Sequence, residues 1–264
     1  MAEIKKKHLF PWGFHLGDLH KGSQIIPLFT STDDGGFCLL YDKASEAKAD
    51  NLLQSLCLEL LEQMPQESLK VHMFDFGRKK FYNLSPLTAM QLYNNAYNSQ
   101  LTSKLFDELE AIIVSRYEEL LCCNRQTINE HNEKSKLKQM YHLVLINLDV
   151  FPPEDLNLKR IQNFVESAQR AGVYIIAFAQ EDEEQKRNET TQTILQSFKK
   201  LEVKNGEFLI TKEIFEFQEL LKDHDFKSLD LDKSSLMQKV LTNANLEQFL
   251  DPQAIKLESD TKVL

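Results

Sequence analysis

Apolar residues follow two rhythms along this chain: short unbroken runs, and longer stretches in which they recur three and four apart. Phe37–Tyr41 is an unbroken run behind the turn signal Asp33-Asp34-Gly35-Gly36, and it predicts a fully buried strand. Asn51–Met64 carries leucines at 52, 53, 56, 60 and 61, a helical spacing that Pro65 ends. Leu69–Phe76 predicts the next strand, closed by Gly77. Leu101–Asn124 is helical through Leu105, Leu109, Ile112, Ile113 and Leu120. Tyr141–Leu148, stopped by Pro152-Pro153, predicts a central strand. Leu158–Ala171 predicts a helix with Gly172 as its stop, and Val173–Ala179 another buried strand. Leu201–Val203 and Phe208–Thr211 flank Asn205-Gly206, a hairpin signal. Strands alternating with helices predict an α/β fold, a mainly parallel sheet with helices on both faces. The expected division is a domain over 1–222, with 1–30 as an entry segment. A polar tail over 223–264, with two weak helical patches, is expected to pack against a partner or to be loosely ordered.

Composition narrows the function classes. The chain has 264 residues, 42% hydrophobic and 27% charged, the balance of a globular protein with a sizeable core. No apolar run approaches the roughly 18–20 residues that span a bilayer, and no apolar core follows the basic start Met-Ala-Glu-Ile-Lys-Lys-Lys-His. A cytoplasmic location is therefore expected. Cys38, Cys57, Cys122 and Cys123 have neither zinc-ligand nor disulfide-framework spacing and are read as reduced and structural. A net charge of -9 argues against DNA binding by this domain alone. Lys5-Lys6-Lys7 and Arg78-Lys79-Lys80 are the compact basic clusters, both read as solvated faces. His15 and His20 flank Asp18 and are read as a surface loop; Phe10, Trp12 and Phe14 are read as anchoring the entry segment to the sheet.

The segment Cys38–Asp50 carries the central chemical question. A buried strand, a short loop and an amphipathic helix is the layout of a phosphate-binding loop. Such a loop uses glycines so that backbone N–H groups can turn inward, a lysine on the β/γ-phosphates and a hydroxyl on Mg²⁺. Here Lys43, Glu46 and Lys48 stand at the glycine positions, Ala49 at the lysine and Asp50 at the hydroxyl. Glu46 and Asp50 would set carboxylates beside a polyphosphate, about 4 kcal/mol per pair at roughly 4 Å and an effective dielectric near 20. Lys48 is one residue from the lysine position, and neighbours on a helix point about 100° apart, so it is a poor substitute. Ser45 has no flanking glycines of a nucleophile elbow.

The order of these pieces resembles the motor domain of FtsK/SpoIIIE-type P-loop ATPases. Cys38-Leu-Leu-Tyr and Asn51-Leu-Leu-Gln match the two flanks of that family's loop. Leu60–Gly77 resembles its second strand with a terminal Asp at Asp75, and Ser115–Leu120 with Ile128–Asn132 its segment before the Walker B strand. Tyr141–Phe151 resembles that strand, and Arg170–Gln180 the stretch after it. The resemblance covers roughly residues 10–212. Asp75-Phe-Gly leans toward the motors of type VII secretion, which string several such domains in one chain and often leave the later ones degenerate.

The resemblance implies a three-layer RecA-like fold. It implies a Walker B Asp-Glu pair where this chain offers Asn147-Leu148 or Asp149-Val150, so neither register supplies two carboxylates. Gln180 matches a sensor position, with Ala179 for the usual Thr. Arg170 matches an arginine that reaches across a subunit interface, although a charge favoured by a helix C-terminus is the plainer account. The expectation is a non-hydrolysing domain with no ATP, Mg²⁺ or other cofactor. It would serve as a regulatory, assembly or substrate- or partner-binding module of a translocation motor for protein secretion, beside a protein partner or neighbouring motor domain, within a membrane-associated assembly. The alternatives are an active ATP-driven DNA or protein translocase and a nucleic-acid-binding subunit of a DNA-processing or defence complex.

Overall fold

The structure is a computed structural model that describes residues 7–77, 80–122, 124–151, 157–181 and 187–243. Cys123, the Pro152-Pro153 stop, Arg78, Lys79, Lys5, Lys6 and the chain beyond 243 lie outside the described residues. The chain opens with β1 (Gly13–Lys21) and β2 (Gln24–Ser31), then β3 (Gly36–Tyr41), α1 (Glu46–Gln63) and β4 (Leu69–Phe74). α2 (Pro86–Ala89), β5 (Tyr93–Ala96), α3 (Ser99–Glu119), α4 (Ile128–Lys134) and β6 (Tyr141–Asn147) follow. Next come α5 (Leu158–Ala168), β7 (Val173–Gln180), α6 (Glu189–Ser197), β8 (Lys200–Lys204) and β9 (Glu207–Leu209). α7 (Gln218–Asp223), β10 (Asp225–Ser228) and α8 (Lys233–Asn243) complete it.

Seven strands form the main sheet in the order β5-β4-β6-β7-β3-β8-β9, parallel except for the β8–β9 hairpin. Alternation along β3 sorts its side chains to two cores. Phe37, Leu39 and Tyr41 join Leu52, Leu53 and Leu56 of α1. Cys38 and Leu40 join Leu105 and Leu109 of α3, Phe164 of α5 and Ile194 of α6. The result is a helix–sheet–helix sandwich, and the runs that predicted strands are the strands covered on both faces. The Asn205-Gly206 turn holds both residues at positive φ (52° and 77°), as a two-residue hairpin with right-handed strand twist requires.

A second, three-stranded antiparallel sheet, β10-β1-β2, stands on the α1 side. It was not legible as strands. Phe10 stacks on Tyr174 at 3.7 Å and Phe14 is fully buried against Phe37, so the entry segment is anchored as expected. Trp12 departs from that expectation: it is 69% exposed and leans on Phe29 of β2. His15, His20 and Asp18 lie on strand β1 rather than in a loop, because β2 and β10 pair with it on either side. His15 Nδ1 lies 2.9 Å from Glu59 Oε1 of α1.

The segment after Asp223 packs on the chain's own body. β10 pairs with β1 through Gly17↔Ser228 to His20↔Asp225, and Val240 of α8 is buried in the α1 core. Asn51 Nδ2 donates to Asp230 Oδ1 at 2.5 Å, fixing the link between them to the α1 surface.

Three histidines give the fold a pH profile. His72 and His142 sit side by side inside the sheet layer, Nε2 to Nδ1 at 2.9 Å, with the Arg116 guanidinium 3.5 Å from His142 Nε2. Burial, with Lys70 nearby, pushes His72 down to about 3, and burial, His72, Arg116 and Lys70 hold His142 well below its ordinary value. An unfolded chain takes up both protons below about pH 6.5 and the folded chain does not, so stability falls with acid there, by about 2 kcal/mol per ring at pH 5. The hydrogen bond to Glu59 raises His15 against its burial, so its contribution is present below pH 6.5 and is lost as pH rises through its folded value. Urea midpoints from pH 5 to 8 should therefore peak near pH 6.5–7. His72→Asn should flatten the acid limb by about one proton and leave the alkaline limb alone. An unchanged acid slope in that variant would rule out the buried pair as its origin.

Candidate functional site at the carboxyl ends of the strands

The carboxyl ends of β3, β7, β6 and β4 bring Tyr41, Gln180, Asn147 and Asp75 to one edge of the sheet, where open α/β sheets place their ligands. The strand-to-helix connection is tighter than the sequence suggests. After Tyr41 the chain makes a single helical turn, Lys43–Ser45, and α1 begins at Glu46 rather than at Asn51. Lys48, Ala49 and Asp50 thus lie in its first turns. The missing glycines explain the early start: residues 46–49, Glu-Ala-Lys-Ala, are strong helix formers.

Asp42 closes the turn. Its Oδ1 accepts from Ser45 N at 2.8 Å and its Oδ2 from Asn205 N at 2.6 Å, and these bonds lower its carboxyl below the ordinary range. Ser45 is buried, its Oγ accepting from Gly206 N at 2.9 Å. Lys48 reaches the same hairpin, donating to Gly206 O at 2.5 Å, and so points away from the strand ends. Lys43 is exposed. The β8–β9 turn is therefore clipped onto the start of α1.

The space over Tyr41 holds the side chain of Lys80. Its ammonium donates to Tyr41 Oη at 3.0 Å, Glu46 Oε1 at 2.9 Å and Asp50 Oδ1 at 3.1 Å. It also lies over the Tyr41 and Phe178 rings, 5.2 and 5.7 Å from their centres. Its backbone N donates to Asp75 Oδ2 at 2.5 Å. Burial lowers the Lys80 ammonium, but Glu46, Tyr41 and Asp50 outweigh it and hold it above the usual lysine range. Burial raises the Asp50 carboxyl despite the opposing Lys80 charge, and pushes the Tyr41 phenol up to about 12. Lys80 was read from sequence as part of a solvated basic cluster; the structure instead puts its side chain at 10% exposure in the pocket. The reason is the burial of the next residue, Phe81, against Phe178.

Behind Lys80 the strand ends are cross-linked. Asn147 Nδ2 donates to Asp75 Oδ1 at 2.9 Å, both groups fully buried, and Asp149 N donates to Asn147 Oδ1 at 3.2 Å. Asp149 Oδ2 accepts from Gln180 N at 3.0 Å, and Arg187 lies 3.7 Å from Asp149 Oδ1 while donating to Gln180 O at 2.7 Å. The structure thus gathers Glu46, Asp50, Asn147, Asp149 and Gln180, and adds Lys80 and Arg187, which the sequence did not single out as site residues. Arg170 is not part of this group. It is exposed, just ahead of β7, at the opposite end of that strand from Gln180.

This architecture has counterparts among solved structures. EssC (ATPases 2 and 3) from Geobacillus thermodenitrificans matches at a TM-score of 0.65 and 14% identity, over 95% of this chain and 52% of that one. The pCW3 conjugation coupling protein TcpA, a monomer form with ATPγS, matches at 0.60 and 13%, over 92% and 76%. The fold is shared with the ATPase domains of these secretion and conjugation proteins. Thermomonospora curvata EccC (ATPases 2 and 3), in complex with a signal sequence peptide, matches at 0.52 and 13%, over 75% and 37%. The chain spans about half the length of the EssC piece. No protein-family model and no curated protein matches the sequence. Among the described residues no helix is long and apolar enough to cross a membrane.

Proposed function

We propose that this chain is a non-hydrolysing motor-fold domain that serves a translocation motor, for protein secretion, as a regulatory or partner-binding module. The observation that carries the reading is Lys80. Its ammonium lies between the end of β3 and the first turns of α1, the space that the strand–loop–helix layout reserves for phosphates.

The residues present do not fit a magnesium-bound triphosphate. Residues 46–50 are helical where a cradle of inward-facing amides is needed. Glu46 and Asp50 face the pocket with negative charge. Asn147 is already engaged with Asp75, and Asp149 with Gln180 and Arg187. The signal-peptide complex of EccC and the two-domain form of EssC support a protein partner.

Isothermal titration with Mg-ATP tests this. The expected result is no saturable heat at micromolar to millimolar nucleotide, and no phosphate release. Micromolar binding with hydrolysis abolished by Asp149→Ala would overturn the proposal in favour of an active translocase.

A further inference from the structure

The Lys80 ammonium is held as a ligand is held. Tyr41 Oη, Glu46 Oε1 and Asp50 Oδ1 take one proton each, which satisfies all three donors of an ammonium group. The Tyr41 and Phe178 rings lie under the charge. Glu46 is 42% exposed and forms the open side of the pocket, so solvent and solutes reach its rim. The residue that follows Lys80 is strained: Phe81 is buried at φ 55°, ψ 35°, a left-handed conformation unfavourable for a bulky side chain. A pocket that satisfies its occupant, beside a backbone that does not favour delivering it, is suited to exchange.

We propose that Tyr41, Glu46, Asp50 and Phe178 form a receptor for primary alkylammonium groups, with Lys80 as its resident and an incoming ammonium as its competitor. This rests on the reading of the site as partner-binding and names the chemistry of what binds. Three acceptors converging on one point suit a compact ammonium better than a planar guanidinium, whose five donors spread in a fork. Two aromatic rings offer no ligand to a divalent cation, and they cover an alkyl stem instead. A lysine side chain of a protein and a free polyamine share this chemistry.

The test uses the full chain with Lys80→Ala. Thermal unfolding is followed against n-butylammonium chloride and, at matched ionic strength, tetramethylammonium chloride, which cannot donate hydrogen bonds. The expected result is a saturable rise with butylammonium that regains at least half of the lost Tm, no such rise with tetramethylammonium, and no shift of the wild type at the same concentrations. Comparing Nα-acetyl-lysine methylamide with spermidine then separates the sources, the tighter binder naming the class. Equal shifts by both simple cations, no shift by either, or a rise that survives adding Glu46→Gln and Asp50→Asn would overturn the proposal. If Lys80→Ala does not fold, Lys80→Met keeps the stem packed and methylammonium replaces butylammonium as the probe. Nucleotide binding by the wild type would overturn the reading of function. Loss of ammonium selectivity in a chain that ignores Mg-ATP would overturn this inference alone.

Discussion

Asp75→Ala should lower the unfolding free energy by about 2–4 kcal/mol, the range for stranding buried partners of a polar network. The Asp75 carboxyl is fully buried at the end of β4. One oxygen accepts from Asn147 Nδ2 of the adjacent strand at 2.9 Å, the other from Lys80 N at 2.5 Å. Removing it leaves the Asn147 amide without that partner in a site that water does not reach, and frees the segment that carries Lys80. Two measurements separate these effects. Urea midpoints report the total loss. Amide exchange at Lys80 and Phe81 should accelerate beyond the global change, because their tie to β4 is gone. Asp75→Asn retains one acceptor and should cost less. A loss below about 1 kcal/mol in Asp75→Ala would mean that the strand ends are held together by packing rather than by this carboxyl.

Gly36→Ala is expected to have an effect at least as large, by steric exclusion. Gly36 opens β3, the strand between β7 and β8. A Cβ there would stand 1.7 Å from Ile175 O and 2.7 Å from Ile175 C of β7. Backbone on both sides leaves β3 nowhere to move, so the sheet would have to part near its centre. Loss of soluble protein, or at least about 4 kcal/mol of stability, is the expected outcome. Gly206→Ala is the control. Nothing lies within 4 Å of a Cβ there, although φ is +77°, so the cost should stay near 1 kcal/mol. Similar melting temperatures for the two variants would refute the steric account.

The sequence exposed the fold wherever a strand is buried on both faces. Phe37–Tyr41, Tyr141–Leu148 and Val173–Ala179 are apolar without interruption because no residue in them meets water. β1, β2 and β10 escaped notice for the opposite reason: Asp18 and His20 are half-exposed and Lys227 is exposed, and no single periodicity dominates. The absence of glycine between Cys38 and Asp50 was legible as lost loop chemistry, but its conformational result was not. Without glycine the chain has no reason to stay open, and the helix extends back to Glu46. Lys80 could not have been placed from sequence. Its pocket partners lie thirty to thirty-nine residues earlier in the chain, and a triplet of basic residues reads the same in sequence whether its members are solvated or buried. Arg187 was hidden for a similar reason, since its contacts to Gln180 and Asp149 are made across two strand ends.

The pairing of β1 with β10 also bears on how the molecule is made. Gly17 faces Ser228, so the third strand of the small sheet is among the last described parts of the chain to leave the ribosome. At roughly 5–20 residues per second, the β1–β2 hairpin waits on the order of 10–40 s for it. During that interval one edge of β1 is open to any extended segment nearby, including that of another nascent chain. Pro27 blunts the other edge, and along β1 the register shift between His15 and Gly17 is what interrupts this one. Yield on synthesis should then depend on how quickly the last strand follows, and a chaperone that covers extended backbone would act first at Gly17–His20.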